Sequence, residues 1–116
     1  MANPTDLAGA RSTLCEITVR LQQLAQALWL QADDAGLDSP LHRLALGCFL
    51  AAAHATNLIP TTEPLPDLPE TTPTDPAHAL RAIYHRAAAL DPRIVGGADL
   101  TVAIAALVRE ATGCVA

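Results

Sequence analysis

Lysine is absent from this chain of 116 residues, so its seven basic residues are all arginines. Twelve acidic residues outnumber them and leave a net charge of −5 with histidine neutral. Binding to nucleic acid or to an anionic membrane requires a concentration of basic side chains near the phosphates. We therefore expect neither nucleic acid nor a membrane among the partners. The absence of lysine beside abundant Ala and Pro reflects codon usage and indicates a GC-rich, bacterial genome.

Aromatic residues are also scarce, since Trp29, Phe49 and Tyr84 are the only three. Apolar residues make up 51% of the chain, but most of them are Ala and Leu, the strongest helix formers. The β-branched residues typical of strands are sparse. This composition predicts an all-α fold. A chain of this length can enclose one hydrophobic core and not two, so we expect a single helical domain over residues 1–116.

The sequence lacks the short motifs that mark redox, metal or secretory functions. Cys15, Cys48 and Cys114 are widely spaced and form no CxxC pair, as expected of reduced cytoplasmic thiols. No HExxH or ExxH motif is present. The N-terminus resembles no signal peptide, and the apolar run at 44–53 is about half the length of a membrane span. We expect a cytoplasmic protein with no metal and no cofactor.

The clearest positive feature is an apolar stripe near the N-terminus. Its members recur at alternating steps of three and four residues: Leu7, Ala10, Leu14, Ile17, Leu21, Leu24 and Leu28. This heptad a/d pattern places the side chains along one side of a helix that packs in a bundle. Similar patterns, with capping residues and prolines at the starts, predict helices over 5–35, 39–58, 76–90 and 98–113.

Residues 60–75 separate these helices into two pairs. Five prolines alternate there with threonines and four acidic residues, a density that no helix tolerates. The segment therefore predicts a long, extended Pro/Thr-rich acidic crossover. The other two connections are short, which favours two helical hairpins and hence an all-α four-helix bundle. The crossover is long enough for the third helix to run in either direction relative to the second.

Two helices show a second, partly apolar side beyond the one that a bundle requires. Its members are Cys15, Val19, Gln22, Gln26 and Trp29 with Leu30 on the first helix, and His42, Leu46, Phe49 and Ala53 on the second. The fourth helix is apolar nearly all round, which predicts that it is the most buried. Exposed apolar surface of this extent is rare on monomers, and a Trp in it is typical of an interface anchor.

The second, partly apolar side of these helices predicts an interface made of Trp29, Leu30, Leu46 and Phe49. The partner would be a second copy of the chain or a larger protein, with a homodimer as the default because twofold dimers are the commonest oligomers. Ordinary burial of Trp29 inside the bundle is the alternative.

The one basic stretch of the sequence lies in the third helix. His78, Arg81 and His85 follow one another at steps of three and four residues, and Arg86 adjoins them. Such a group binds an anion or an acidic partner, or it forms a solvated side of the helix. Two histidines seven residues apart hold a metal only when another helix adds a ligand.

His54, Cys48 and Tyr84 are the remaining candidates for chemistry, as groups that could line an apolar cavity. A catalytic His needs a hydrogen-bonded partner, and none stands at a motif spacing, so we assign no catalytic residue. The sequence favours a small cytoplasmic interaction protein, homodimeric or bound to a partner, over an enzyme. The alternative is a bundle whose cavity binds or transforms a small hydrophobic molecule, with a His as acid or base.

Overall fold

The computed structural model confirms an all-α four-helix bundle. It describes residues 4–35, 40–59, 75–90 and 96–115, with side chains at 9, 11–33, 40–59, 75–90 and 96–113. The helices are α1 (Pro4–Ala35), α2 (Pro40–Asn57), α3 (Pro76–Ala88) and α4 (Gly97–Val115). Each helix begins and ends within two residues of its predicted bounds. The predicted crossover lies outside the described residues, apart from Asp75.

The four helices stand at the corners of a square. Within the described residues, α1 packs against α2 and α3, and α4 packs against the same two helices. The pairs α1/α4 and α2/α3 are therefore diagonal, and their backbones do not approach closely. Both sequence-adjacent pairs, α1 with α2 and α3 with α4, are packed together as the predicted hairpins require.

The direction of α3 follows from its contacts with α1. Arg86, near the end of α3, forms an ion pair with Glu16 in the first half of α1. Ala79, near the start of α3, shares a groove with Gln23, which lies two turns further along α1. The helix α3 is thus antiparallel to α1. Because α2 is also antiparallel to α1, α2 and α3 run parallel.

Two glycines give the relative direction of α2 and α4. A Cβ on Gly47 of α2 would stand 2.5 Å from Cδ2 of Leu107 on α4. Gly96 has a φ of 86°, in the left-handed region that favours glycine, and a Cβ there would stand 2.8 Å from Cδ2 of Leu58. The end of α2 therefore lies beside the start of α4, and these two helices are antiparallel.

The core contains the predicted stripe of α1. Leu14, Ile17, Leu21, Leu24 and Leu28 are all buried, whereas the side chains of Leu7 and Ala10 lie outside the described residues. The other helices contribute Leu44, Cys48, Leu80, Leu100 and Ile104 to the same cluster. In this core Thr18 is fully buried, and its hydroxyl donates to the carbonyl of Leu14 at 2.9 Å, so its polar group is satisfied.

Two expectations about burial were wrong. The helix α4 is not buried all round, because it occupies a corner and contacts only α2 and α3, which leaves Val102 69% exposed. On the second side of α1, Cys15 and Val19 are buried, and Cys15 belongs to the core cluster. Among the side chains of α1 that the structure describes, the large exposed apolar ones, Trp29 and Leu30, lie in its C-terminal half.

Candidate functional site

Of the six large apolar side chains that are exposed among the described residues, five belong to α1 and α2. Trp29 and Leu30 on α1 are 42% and 66% exposed, and Leu46 and Phe49 on α2 are 53% and 39% exposed. We refer to these four residues as the aromatic patch. They are the residues predicted to form an interface, and the structure places each of them at the surface.

The rings on this edge hold one another in place. The Trp29 and Phe49 ring centroids are 6.4 Å apart at an interplanar angle of 67°. Trp29 also meets the imidazole of His42 edge-on, with centroids 5.1 Å apart at 77°. Edge-to-face contacts of this kind add stabilisation beyond burial of area. The indole is thus oriented by two neighbours on α2 although much of it remains exposed.

Charged groups of both signs flank the aromatic patch. Nε2 of His42 lies 3.4 Å from Oδ1 of Asp33, which ties the end of α1 to the start of α2. Nδ1 of His42 is buried and lacks a hydrogen-bond partner among the described residues. Arg43 is exposed and precedes Leu46 by three residues, so it lies one turn away on the same side of α2. The edge therefore carries an acid on α1 and a cation on α2.

The side chains of the predicted basic group on α3 turn towards two different neighbouring helices. His78, Arg81, His85 and Arg86 are all exposed. Nη2 of Arg81 donates to the Thr112 hydroxyl of α4 at 3.4 Å, whereas Arg86 is paired with Glu16 of α1. Since the two arginines turn to opposite sides of α3, they do not converge on one anion.

The candidates for cavity chemistry are not brought together. Cys48 is fully buried, and His54 and Tyr84 are partly buried. Cys48 and His54 belong to α2, which stands diagonal to the α3 helix that carries Tyr84. Burial, together with the negative charge of Glu110, raises the pKa of the Cys48 thiol to about 12. At neutral pH this group is a protonated core residue and not a nucleophile.

Sequence reasoning missed two surface features. The first is Leu50, which is 63% exposed and follows Leu46 by four residues on α2. The second is a groove of about 320 Å³ between α1 and α3, lined by Arg20, Gln23, Leu24, Ala79, Ala82, Ile83 and Arg86. The spacing of Leu50 from Leu46 on α2 could have identified Leu50. The groove depends on which helices are neighbours, and no pattern within one helix reveals that.

The described part of the chain contains no group of three or more His, Cys, Asp or Glu side chains placed to hold a metal ion. Within the same residues, no helix combines the length and apolarity needed to cross a bilayer.

The fold and site define a four-helix bundle with an aromatic edge between its first two helices. Compared with protein-family models, curated proteins and solved structures, the chain matches none of them.

Proposed function

We propose that this protein is a small interaction protein that forms a twofold dimer through the aromatic patch. One observation carries the proposal: Trp29 and Phe49 are in ring contact at the α1–α2 edge while each is at least 39% exposed, and Leu30 and Leu46 on the same two helices are more exposed still. Covering apolar surface removes it from water, which favours association. Trp is among the residues that contribute most when they are buried at the centre of an interface.

The rings are held in fixed positions before any partner binds, and this favours a role in binding. A side chain that is ordered before association loses less conformational entropy when a partner covers it. Trp29 is already fixed by edge-to-face contacts with His42 and Phe49. Leu50 extends the apolar surface along α2, and a standard interface of roughly 800 Å² per partner is about a tenth of the 7055 Å² surface of the chain.

Charge complementarity favours a second copy of the chain as the occupant. In a twofold interface, if one residue contacts another across the axis, the reverse contact also occurs. Asp33, which also contacts His42 of its own chain, and the exposed Arg43 would each occur twice in a twofold dimer, so the symmetry allows two reciprocal acid–base contacts. We also propose a cytoplasmic location, which the buried Cys48 thiol supports because reducing compartments keep such thiols.

The test compares the molar mass of matched variants by light scattering. Leu46→Glu introduces a charge at an exposed position of the aromatic patch, and Val102→Glu introduces the same charge on α4, diagonal to α1. We expect the unmodified protein and Val102→Glu to have twice the 12.1 kDa mass of the chain. Leu46→Glu should be monomeric at the same concentration, with unchanged helix content by circular dichroism.

A dimeric Leu46→Glu protein would show that the interface lies elsewhere. Monomeric unmodified protein would remove self-association altogether, and the aromatic patch would then have to serve a different protein partner. The alternative of a catalytic cavity receives no support from the positions of His54, Cys48 and Tyr84.

A further inference from the structure

Exposed residues form a second heptad-spaced row on the outer side of α1 and another on the outer side of α2. Residues that recur at alternating steps of three and four lie along one side of a helix. We refer to four exposed residues of α1 as the α1 row and to four exposed residues of α2 as the α2 row. The α1 row is Gln22, Gln26, Trp29 and Asp33, and the α2 row is Arg43, Leu46, Leu50 and Ala53. Both helices therefore have a side with bundle spacing that no other helix of the described chain covers.

The two rows lie at the same height along the bundle and run in opposite directions. Nε2 of His42 lies 3.4 Å from Oδ1 of Asp33, so the end of the α1 row stands beside the start of the α2 row. The indole of Trp29 contacts the rings of both His42 and Phe49, so Trp29 stands level with Leu46, which lies between them on α2. From this level each row extends for seven more residues, roughly 10 Å, towards the other end of the bundle.

This geometry leaves two ways in which a second copy can cover both rows about a twofold axis in the interface. If the axis is parallel to the helices, the same ends of the two bundles meet, and the α1 row of each copy faces the α2 row of the other. If the axis is perpendicular to the helices, opposite ends meet, and each row faces its own counterpart. Only the parallel axis brings Asp33 of one copy opposite Arg43 of the other, because both residues lie at the same end of the bundle.

The charges of the two rows favour the parallel axis. Asp33, whose side chain is 58% exposed, and the exposed Arg43 are their only charged members. A carboxylate has two acceptor oxygens, so Asp33 can keep its contact with His42 while it accepts from a guanidinium. With the perpendicular axis, Arg43 would face the Ala53 end of the other copy and Asp33 would face its Gln22 end. Both charges would then lose water without gaining a partner, which is unfavourable.

We propose that the twofold axis of the dimer is parallel to the helices, so that the α1 row of each copy packs antiparallel against the α2 row of the other. Trp29 then packs on Leu46 and Leu50 of the other copy, and Asp33 pairs with Arg43 at the end of the interface. The inference rests on the proposed dimerisation and adds the orientation of the two copies. The contact between Asp33 and Arg43 selects this orientation.

The test exchanges the two charges. Asp33→Arg places two cations opposite each other at both ends of the symmetric contact, and Arg43→Asp places two acids there. Because like charges repel, we expect each variant to raise the dissociation constant of the dimer about tenfold at low salt, as measured by light scattering. Arg109→Asp makes the same change at an exposed position of α4 and should dimerise as the unmodified protein does.

Mixing the two variants separates a charge contact from a general defect. In a pair formed by one Asp33→Arg chain and one Arg43→Asp chain, both contacts join an acid and a base. An equimolar mixture should therefore regain the dimer, with helix content by circular dichroism equal to that of the unmodified protein. A variant that merely folds poorly, or that only loses the contact with His42, would not be rescued in this way.

Disulfide formation measures the orientation without changing any charge. Gln22→Cys and Ala53→Cys are made in separate chains that also carry Cys114→Ser, and the chains are mixed and oxidised. The parallel axis places these two positions opposite each other, so the covalent dimers should contain one chain of each kind.

The outcomes distinguish the orientation from dimerisation itself. If the unmodified protein is a dimer but the mixed charge variants stay monomeric, or if disulfides join only like chains, the orientation is wrong and the dimer stands. The orientation is also wrong if both charge variants dimerise as tightly as the unmodified protein. If the unmodified protein is a monomer, the dimer and its orientation are both wrong.

Discussion

Adjacent residues in the middle of α1 occupy opposite environments. Leu21 is fully buried in the core, and Gln22, one step around the helix, is exposed. A helix turns by 100° per residue, so a single position separates packed from solvated side chains. This contrast provides a direct test of the packing of α1.

We expect Leu21→Ala to lower the free energy of unfolding by roughly 2–5 kcal/mol, because it removes buried methyl groups and leaves a cavity. The matched change Gln22→Ala should alter the free energy of unfolding by no more than about 0.5 kcal/mol. Urea denaturation followed by circular dichroism measures both. Equal losses at the two positions would contradict the observed burial.

The thiol of Cys48 gives a second prediction for a single residue. Burial and the charge of Glu110 both oppose the thiolate, and the pKa rises from 9.0 to about 12. Iodoacetamide reacts with the thiolate, so at pH 8 Cys48 should remain unmodified in the folded protein and react in denaturant, as peptide mass spectrometry can show. Between pH 9.0 and about 12 the unfolded thiol ionises first, so this group then lowers stability. Rapid alkylation of folded protein would contradict this placement.

Helix α3 shows how one element is started by its sequence. Asp75 is the N-cap, and its Oδ1 accepts hydrogen bonds from the backbone N–H groups of Ala77 at 3.0 Å and His78 at 3.4 Å. Pro76 follows at the first helical position, where its missing N–H has no cost. The sequence predicts this start because capping and proline preference are local effects.

We expect Asp75→Ala to destabilise the protein by about 1 kcal/mol, since it leaves orphan N–H groups at the start of α3. Asp75→Asn retains a side-chain oxygen that can accept the same hydrogen bonds, so it should lower the stability much less. Thermal unfolding followed by circular dichroism distinguishes the two. If Asn is as harmful as Ala, the charge of Asp75 matters and the cap does not.

Patterns within each helix predict the helices and their buried sides. They do not predict how the helices are arranged around one another. The heptad spacing identified buried residues such as Leu21, because one helix determines its own sides. It did not show that Arg81 turns to α4 and Arg86 to α1, since spacing says nothing about which helix stands on each side. The direction of α3 was equally open, because the long crossover permits both orientations. The groove at Arg20 follows from that direction and was therefore not predictable either.

For the whole molecule, the decisive feature is the arrangement of the four helices in a square. Because α1 contacts both α2 and α3, it contributes to two separate surfaces. The aromatic patch lies on its α2 side, and the groove lies on its α3 side. A protein partner is proposed for the first surface.

We propose above that a second copy of the chain covers the aromatic patch. Light scattering of the unmodified protein over a concentration series up to the high micromolar range tests it most directly. The account predicts a molar mass twice that of the 12.1 kDa chain, which falls towards the monomer on dilution and after Trp29→Ala. A monomer across the whole series would contradict it.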